Sequence, residues 1–412
     1  MTPATRFTLD NGLRVVHRHD PLTAMANINV VYDVGARDED RHLTGMAHLF
    51  EHLMFSGSVN IPRFDEAIER AGGINNAWTS QDYTSFYSSA PAVNAETLFW
   101  LESDRMLALG FSQEALDVQR NVVIEEFKQV CLNRPYGTVS HRLNKMLYGK
   151  HPYAVPVIGR AIEELERVTL DDIKAFFFSH YAPNNAVLSI DGNITLEQAH
   201  TLTEKYFAPI ERRQTTPRRH PAPTPLTHPL REEMRGIGAQ TMVMVAYPMG
   251  GIDSMEYIPL DLGSDIMASG ESSRMFRDLV MRGDIYAKAD ASIAGTVEAG
   301  YFLLRALLLD GNDDAVARAE KELVNEARKI AENGVTDHEL QRALNRYESN
   351  DTFSQISSLE RCRMTADAEI RGRHAEDMVA LYRHTTTKDI QLATQKVFDT
   401  PNTATLIHRP LQ

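Results

Sequence analysis

Leu43-Thr-Gly-Met-Ala-His48-Leu-Phe-Glu51-His52-Leu-Met-Phe-Ser-Gly57 is the stretch around which the chain is organised. It reads as a helix. Thr44 stands where an N-cap hydroxyl belongs, the body is apolar, and Ser56-Gly57 is a stop signal. On a helix His48 and His52 lie one turn apart on one face. Two ring nitrogens so placed can meet one small cation at about 2.0–2.1 Å each. Glu51 lies between them, near enough to reach a water on the same cation. Two imidazoles and a carboxylate among Leu, Phe, Met and Ala are costly to bury without partners. A bare His pair at this spacing is commonly an accident of surface or core. The Glu at the third position, in an apolar frame, favours a metal site. The pattern, His-x-x-Glu-His, reverses the His-Glu-x-x-His order of the commoner metalloprotease helix. His42, six residues before His48, falls off the ligand face.

A third ligand must come from elsewhere in the chain. The spacing predicts a helix from about Ser112 to Leu132, on which Leu116, Gln119, Val123, Glu126 and Val130 form one stripe. Glu125 shares the neighbouring face with Val118, Val122 and Gln129. A carboxylate facing a core beside two imidazoles suits zinc, whereas most helical Glu are simply solvated. Helical phase leaves Glu125 and Glu126 both open. Residues 74–87 alternate and are rich in Thr, Tyr, Phe and Trp, so they predict a strand or hairpin. Its edge can receive an added peptide strand, or it is an ordinary strand with a solvated face.

The other elements follow in order. Asp10-Asn11-Gly12 turns a hairpin between strands near 5–9 and 13–18, and 26–34 is a strand. Helices are expected at 62–71, 93–109, 139–149 and 195–207, with a loop at 151–160. Thr169 to Asp172 opens a further helix with a capping arrangement, ahead of a strand at 186–190. Six prolines between Pro209 and Pro229 mark an extended linker over 209–231. Thr169-x-x-Asp172-Ile173 followed by Pro183-Asn-Asn-Ala-Val-Leu returns as Thr386-x-x-Asp389-Ile390 followed by Pro401-Asn-Thr-Ala-Thr-Leu. The shift of 217 or 218 residues, about half the chain, predicts two copies of one domain. The same shift carries His48 onto Asp265, in a helix without His, so one metal per chain is expected. The expected fold is α+β: two homologous domains, 1–208 and 232–412, each a mainly antiparallel sheet packed with helices.

Composition sets the outer bounds. A chain of 412 residues exceeds one ordinary core, and 43% hydrophobic with 24% charged residues is globular. The net charge of −13 argues against nucleic acid as a partner. Cys131 and Cys362 make neither a metal cluster nor a disulfide framework, so free thiols are expected. No apolar run approaches the roughly 20 residues of a membrane span. The N-terminus has no apolar leader, so the chain as written is expected to be cytoplasmic; a removed leader would make it periplasmic.

Taken together, these residues resemble the pitrilysin/insulinase family of inverted-motif zinc peptidases, in its bacterial processing-peptidase-like branch. The likeness runs from Phe7-Thr-Leu-Asp-Asn-Gly through Gly45-x-x-His-x-x-Glu-His and Gly72-Gly-x-Asn-Asn76-Ala77-x-Thr79-Ser. It continues in Asn121-Val-Val-Ile-Glu-Glu126, His151-Pro-Tyr, Gly159 and Tyr181-x-Pro-Asn. The resemblance implies His48, His52 and Glu126 as ligands of one zinc ion, and Glu51 as general base. It implies Asn76 and Ala77 as the strand that pairs with substrate. It places Gln119 where the family keeps a supporting Glu, seven residues before the third ligand. The Arg and Tyr, seven apart, with which the family holds the scissile region correspond here to Leu279 and Tyr286, with Arg282 and Arg277 nearby but out of register; the resemblance thus implies Tyr286 as a catalytic donor to the oxyanion and Arg282 as a substrate-binding candidate. The implied protein is an endopeptidase acting on extended or unfolded peptides inside a chamber closed by two half-clamshells. Its partner would be a second copy or a paralogous subunit supplying the Arg/Tyr pair. A non-catalytic subunit on the same fold is the main rival; it predicts loss of His48, Glu51 or His52, and all three are present. A zinc hydrolase of a non-peptide bond is the other.

Overall fold

The structure, a computed structural model, describes residues 3–216 and 222–411. The chain makes two compact units that depart from contiguous halves at two segments. The first comprises the described residues within Met1–Phe127, Val155–Arg219 and Asp351–Asp377; the second takes those within Lys128–Ala154, His220–Asn350 and Met378–Gln412. The helix expected to run to Leu132 keeps α geometry over Gln113–Phe127 and widens to a π turn over Lys128–Leu132, where the chain passes from one unit to the other. Of the expected linker, residues 217–221 lie outside the described residues, and 222–229 form neither helix nor strand.

The first unit is built on a six-stranded sheet. Its strands are β1 (Thr5–Thr8), β2 (Arg14–His19), β3 (Met25–Tyr32), β4 (Ile74–Thr79), β5 (Thr84–Pro91) and β6 (Ala186–Gly192), in the order β1-β2-β6-β3-β5-β4. Only β2 and β6 run parallel. β4 pairs with β5 alone and forms an edge. The sequence of β3 alternates apolar and polar residues, and both faces are buried, Asn27 and Asn29 included. The helix Ser358–Ile370, from far down the sequence, packs on β3 and β6. Asn27 donates to the Asp191 carbonyl at 3.0 Å and to Ser358 Oγ at 2.9 Å, and Ser85 donates to Asn29 at 2.9 Å. Burying an amide without such partners would cost on the order of 1–3 kcal/mol.

The second unit repeats the plan. Its strands are β7 (Leu230–Gly236), β8 (Met242–Gly250), β9 (Tyr286–Gly295), β10 (Ala299–Leu308) and β11 (Ala404–Pro410), in the order β7-β11-β8-β10-β9. That is the first sheet without β1: β7 and β11 run parallel, as β2 and β6 do. The predicted repeat is visible at the capping boxes too. Thr169 accepts from the Asp172 N–H, and Thr386 from the Asp389 N–H. Cys131 and Cys362 are both buried, and no disulfide joins them. Among the described residues no helix is long and apolar enough to cross a membrane.

Candidate metal centre

The metal-site stretch forms the helix Met46–Leu53, seated by apolar side chains. Met46, Leu49, Phe50 and Leu53 are buried, and Phe50 lies 5.4 Å from the Phe176 ring and 4.9 Å from the Tyr181 ring. The opposite side of the helix carries the polar residues. Its first turn is not capped by Thr44, as the sequence predicts. Thr44 bonds instead to Glu164, and the residue at the N-cap is Gly45, in the left-handed region at φ 88°. The cap comes from Glu39, whose carboxylate accepts the N–H groups of Gly45 and Ala47, both at 2.8 Å.

His48, His52 and Glu126 come together, one ligand atom from each lying within 4.8 Å of the others. His52 Nε2 is 3.4 Å and His48 Nε2 is 3.7 Å from Glu126 Oε2. The imidazoles stand at 82°, with centroids 5.0 Å apart. Donors bound at about 2.0–2.1 Å in a tetrahedron lie about 3.3 Å from one another, so these separations are close to what zinc requires. Two imidazoles and one carboxylate are also the donor set of a catalytic rather than a structural zinc site. Burial pushes the His48 imidazole down, toward its neutral form. The hydrogen bond from His52 holds the Glu126 carboxyl below its ordinary range. Both shifts favour the unprotonated ligand states.

Helix Gln113–Phe127 brings Glu126 to this point while Leu116 and Val123 on the same stripe are fully buried. Glu125 is exposed. Gln119 is half-buried two turns before Glu126 on the same helix. Glu51 is half-buried and accepts a hydrogen bond from Thr79 Oγ1 at 2.6 Å. Burial pushes its carboxyl up, and the Thr79 hydroxyl acts in the opposite direction. Thr79 is the site residue to which sequence reasoning gave no role. Period-two alternation from Ala77 along the strand was the available signal. His42 is exposed and stands outside the cluster.

Asn76 and Ala77 lie on edge strand β4, opposite Tyr87 and Phe86. Asn76 is exposed, and its side chain accepts the Ala77 N–H at 2.8 Å. Tyr286 and Arg282 belong to the second unit. Tyr286 is buried, and its hydroxyl donates to Glu322 at 2.6 Å. Arg282 pairs with the same carboxylate at 2.5 Å. The donor role expected of Tyr286 therefore requires that bond to open. Leu279 is buried in the second unit's core, which accounts for an apolar residue where the family keeps Arg.

Comparison with known proteins decides the lineage. Residues 14–160 match the family model described as insulinase (peptidase family M16), and residues 167–347 match that of the peptidase M16 inactive domain. The chain belongs to the M16 peptidase family. Zinc protease PqqE of Helicobacter pylori is 28% identical over 389 residues, covering 90% of this chain and 82% of that protein. A protease from Helicobacter pylori has the same fold, with TM-score 0.91 at 24% identity over the whole of both chains. The periplasmic protease PqqL from Escherichia coli aligns at TM-score 0.81 and 18% identity, over 98% of this chain but 47% of its own length.

Proposed function

We propose that this M16 chain is a zinc-dependent endopeptidase that hydrolyses extended or unfolded peptides, with His48, His52 and Glu126 as zinc ligands and Glu51 as general base. The observation carrying this reading is the convergence of three zinc-type donors within 4.8 Å, with Glu51 on the same helix turn as His48 and His52. Zinc held there would polarise the scissile carbonyl and acidify a water. Glu51 would act as the base that removes a proton from the attacking water and returns it to the leaving amine. Thr79 holds one Glu51 oxygen in place, leaving the other for the proton. The exposed edge at Asn76 and Ala77 receives the substrate backbone as an added strand. One zinc per chain follows, since the helix Tyr257–Ala268 of the second unit carries no His. The working form is a dimer of this chain, or a pair with a paralogous subunit, because the chain spans 47% of PqqL.

The test is Glu51→Gln. Loss of turnover of a quenched peptide by roughly a hundred- to ten-thousand-fold, with zinc content unchanged by metal analysis, is the expected result. Zinc-loaded wild-type protein that cleaves nothing in a broad peptide mixture would leave a non-catalytic subunit as the better reading.

A further inference from the structure

The helix that carries His48, Glu51 and His52 has eight residues, and its N-cap, Gly45, offers no side chain to its first N–H groups. His48 is its third residue, so it sits in the turn most prone to fray. That turn is held from outside by Glu39, which is buried and bonds the N–H groups of Gly45 and Ala47 with one oxygen each. A carboxylate at this end also complements the partial positive charge of the helix N-terminus.

Glu39 is itself fixed. It closes a short 3-10 turn, Ala36–Asp38, whose Ala36 and Arg37 N–H groups bond the Ser80 and Gln81 carbonyls at 3.1 and 3.0 Å. Arg37, also buried, pairs with Asp82 at 2.9 Å. Ser80 to Asp82 directly follow Thr79, the residue that holds Glu51. A path of hydrogen bonds and adjoining chain therefore joins the start of the ligand helix to the end of β4, where Thr79 holds the base. A second clamp acts from the other side. Glu164 accepts the Thr44 N–H at 3.2 Å, and Thr44 Oγ1 accepts the Arg160 N–H at 2.9 Å. The approach is close: a Cβ on Gly45 would come within 2.9 Å of the Ile158 carbonyl oxygen.

We propose that Glu39 is a positioning residue for the metal centre: its carboxylate fixes the first turn of the ligand helix, and with it His48 relative to His52 and Glu126. The inference rests on the zinc reading above and assigns to Glu39 what a local cap does elsewhere. Glutamine at this position has the same shape but a single acceptor oxygen, and its NH2 would face a backbone N–H. It can keep one of the two bonds at most.

The test compares Glu39→Gln with Leu101→Ala, a core truncation in the same unit far from these contacts in sequence. Zinc affinity is read by chelator competition on folded protein, alongside kcat and KM for one peptide. Glu39→Gln is expected to weaken zinc binding about ten-fold, the lower range for residues that support metal ligands, and to lower kcat at saturating zinc with KM unchanged. Leu101→Ala is expected to lower the melting temperature and leave zinc affinity alone. Wild-type affinity in Glu39→Gln overturns the proposal, as does equal weakening in both variants. If Glu39→Gln does not fold, Glu39→Asp, which keeps the charge but is one methylene too short to span both N–H groups, carries the same expectation. A wild-type chain that binds no zinc overturns the metal reading itself, a distinguishable failure.

Discussion

Glu125 and Glu126 stand about 100° apart around one helix, and that rotation separates a solvated carboxylate from one 3.4 Å from His52. Their sequence surroundings are too alike for helical phase to choose between them; what decides is the position of the ligand helix, a long-range fact. His48 and His52 were legible because their relation is local, one turn of one helix. Thr79 was not, since its role is a contact with a residue 28 positions away. That contact can be measured. Thr79→Val keeps the shape of the side chain and removes the hydroxyl, so Glu51 loses a bond worth about 1.5–3 kcal/mol to a charged acceptor. A loss of that size in the transition state corresponds to a roughly ten- to hundred-fold fall in kcat, with zinc content and peptide KM unchanged. Steady-state assays at saturating zinc read this directly, and wild-type kcat in the variant would remove Thr79 from the catalytic account.

At the scale of elements, local grammar succeeded where caps and turns are local. The boxes at Thr169 and Thr386 are closed by residues three positions on, and both form as the sequence predicts. Thr44 misled because a hydroxyl before an apolar run satisfies the same rule, while the true acceptor, Glu39, lies outside the local window. Strand β3 was found, but its two buried faces were not legible, because the helix that covers one of them lies more than 300 residues later. That helix sends Arg361 to Asp191, with bonds of 3.3 and 2.9 Å between two buried side chains. Arg361→Ala strips a buried carboxylate of its cation and is expected to cost roughly 3–5 kcal/mol, read as a fall in the urea midpoint of the wild-type chain. A shift under 1 kcal/mol would mean that water reaches Asp191. In the second unit Arg274 grips both oxygens of Glu339 at 2.7 Å, and the Thr336 N–H adds a third bond at 2.9 Å. The Arg274 bonds hold the Glu339 carboxyl down at about 2, against 4.5 for a free side chain. A carboxyl lowered on folding contributes stability above its unfolded pKa and loses it as pH falls through the folded one. The melting-temperature gap between wild type and Glu339→Gln is therefore expected to be full above about pH 5 and to close toward pH 2. A gap independent of pH would contradict the pairing.

The whole molecule shows what duplication left behind. Two sheets of matching strand order remain, and only one unit brings His48, His52 and Glu126 together. The repeat was legible from capping residues and a Pro-Asn turn because those features are short and local. The exchange of segments was not, since residues 128–154 and 351–377 read as ordinary continuations of their own halves and differ only in what they cover. The same half-size bears on assembly. The chain aligns with 47% of PqqL, and in the proposed function a second unit of this fold completes the chamber. The second unit keeps Tyr286 and Arg282 on Glu322, and Leu279 in its core, so this chain presents no ready Arg/Tyr pair of the family's register. A second copy that closes the chamber around the substrate would make activity depend on association. Purified chain is expected to elute at about twice its monomer mass, and specific activity on a quenched peptide is expected to fall on dilution below the dissociation constant of the pair. Adding catalytically dead Glu51→Gln chains to dilute wild type should then restore activity per wild-type site, because the added chains contribute the partner surface without the base. A monomer whose specific activity is constant across dilution, and unmoved by the added variant, would show that one chain is sufficient.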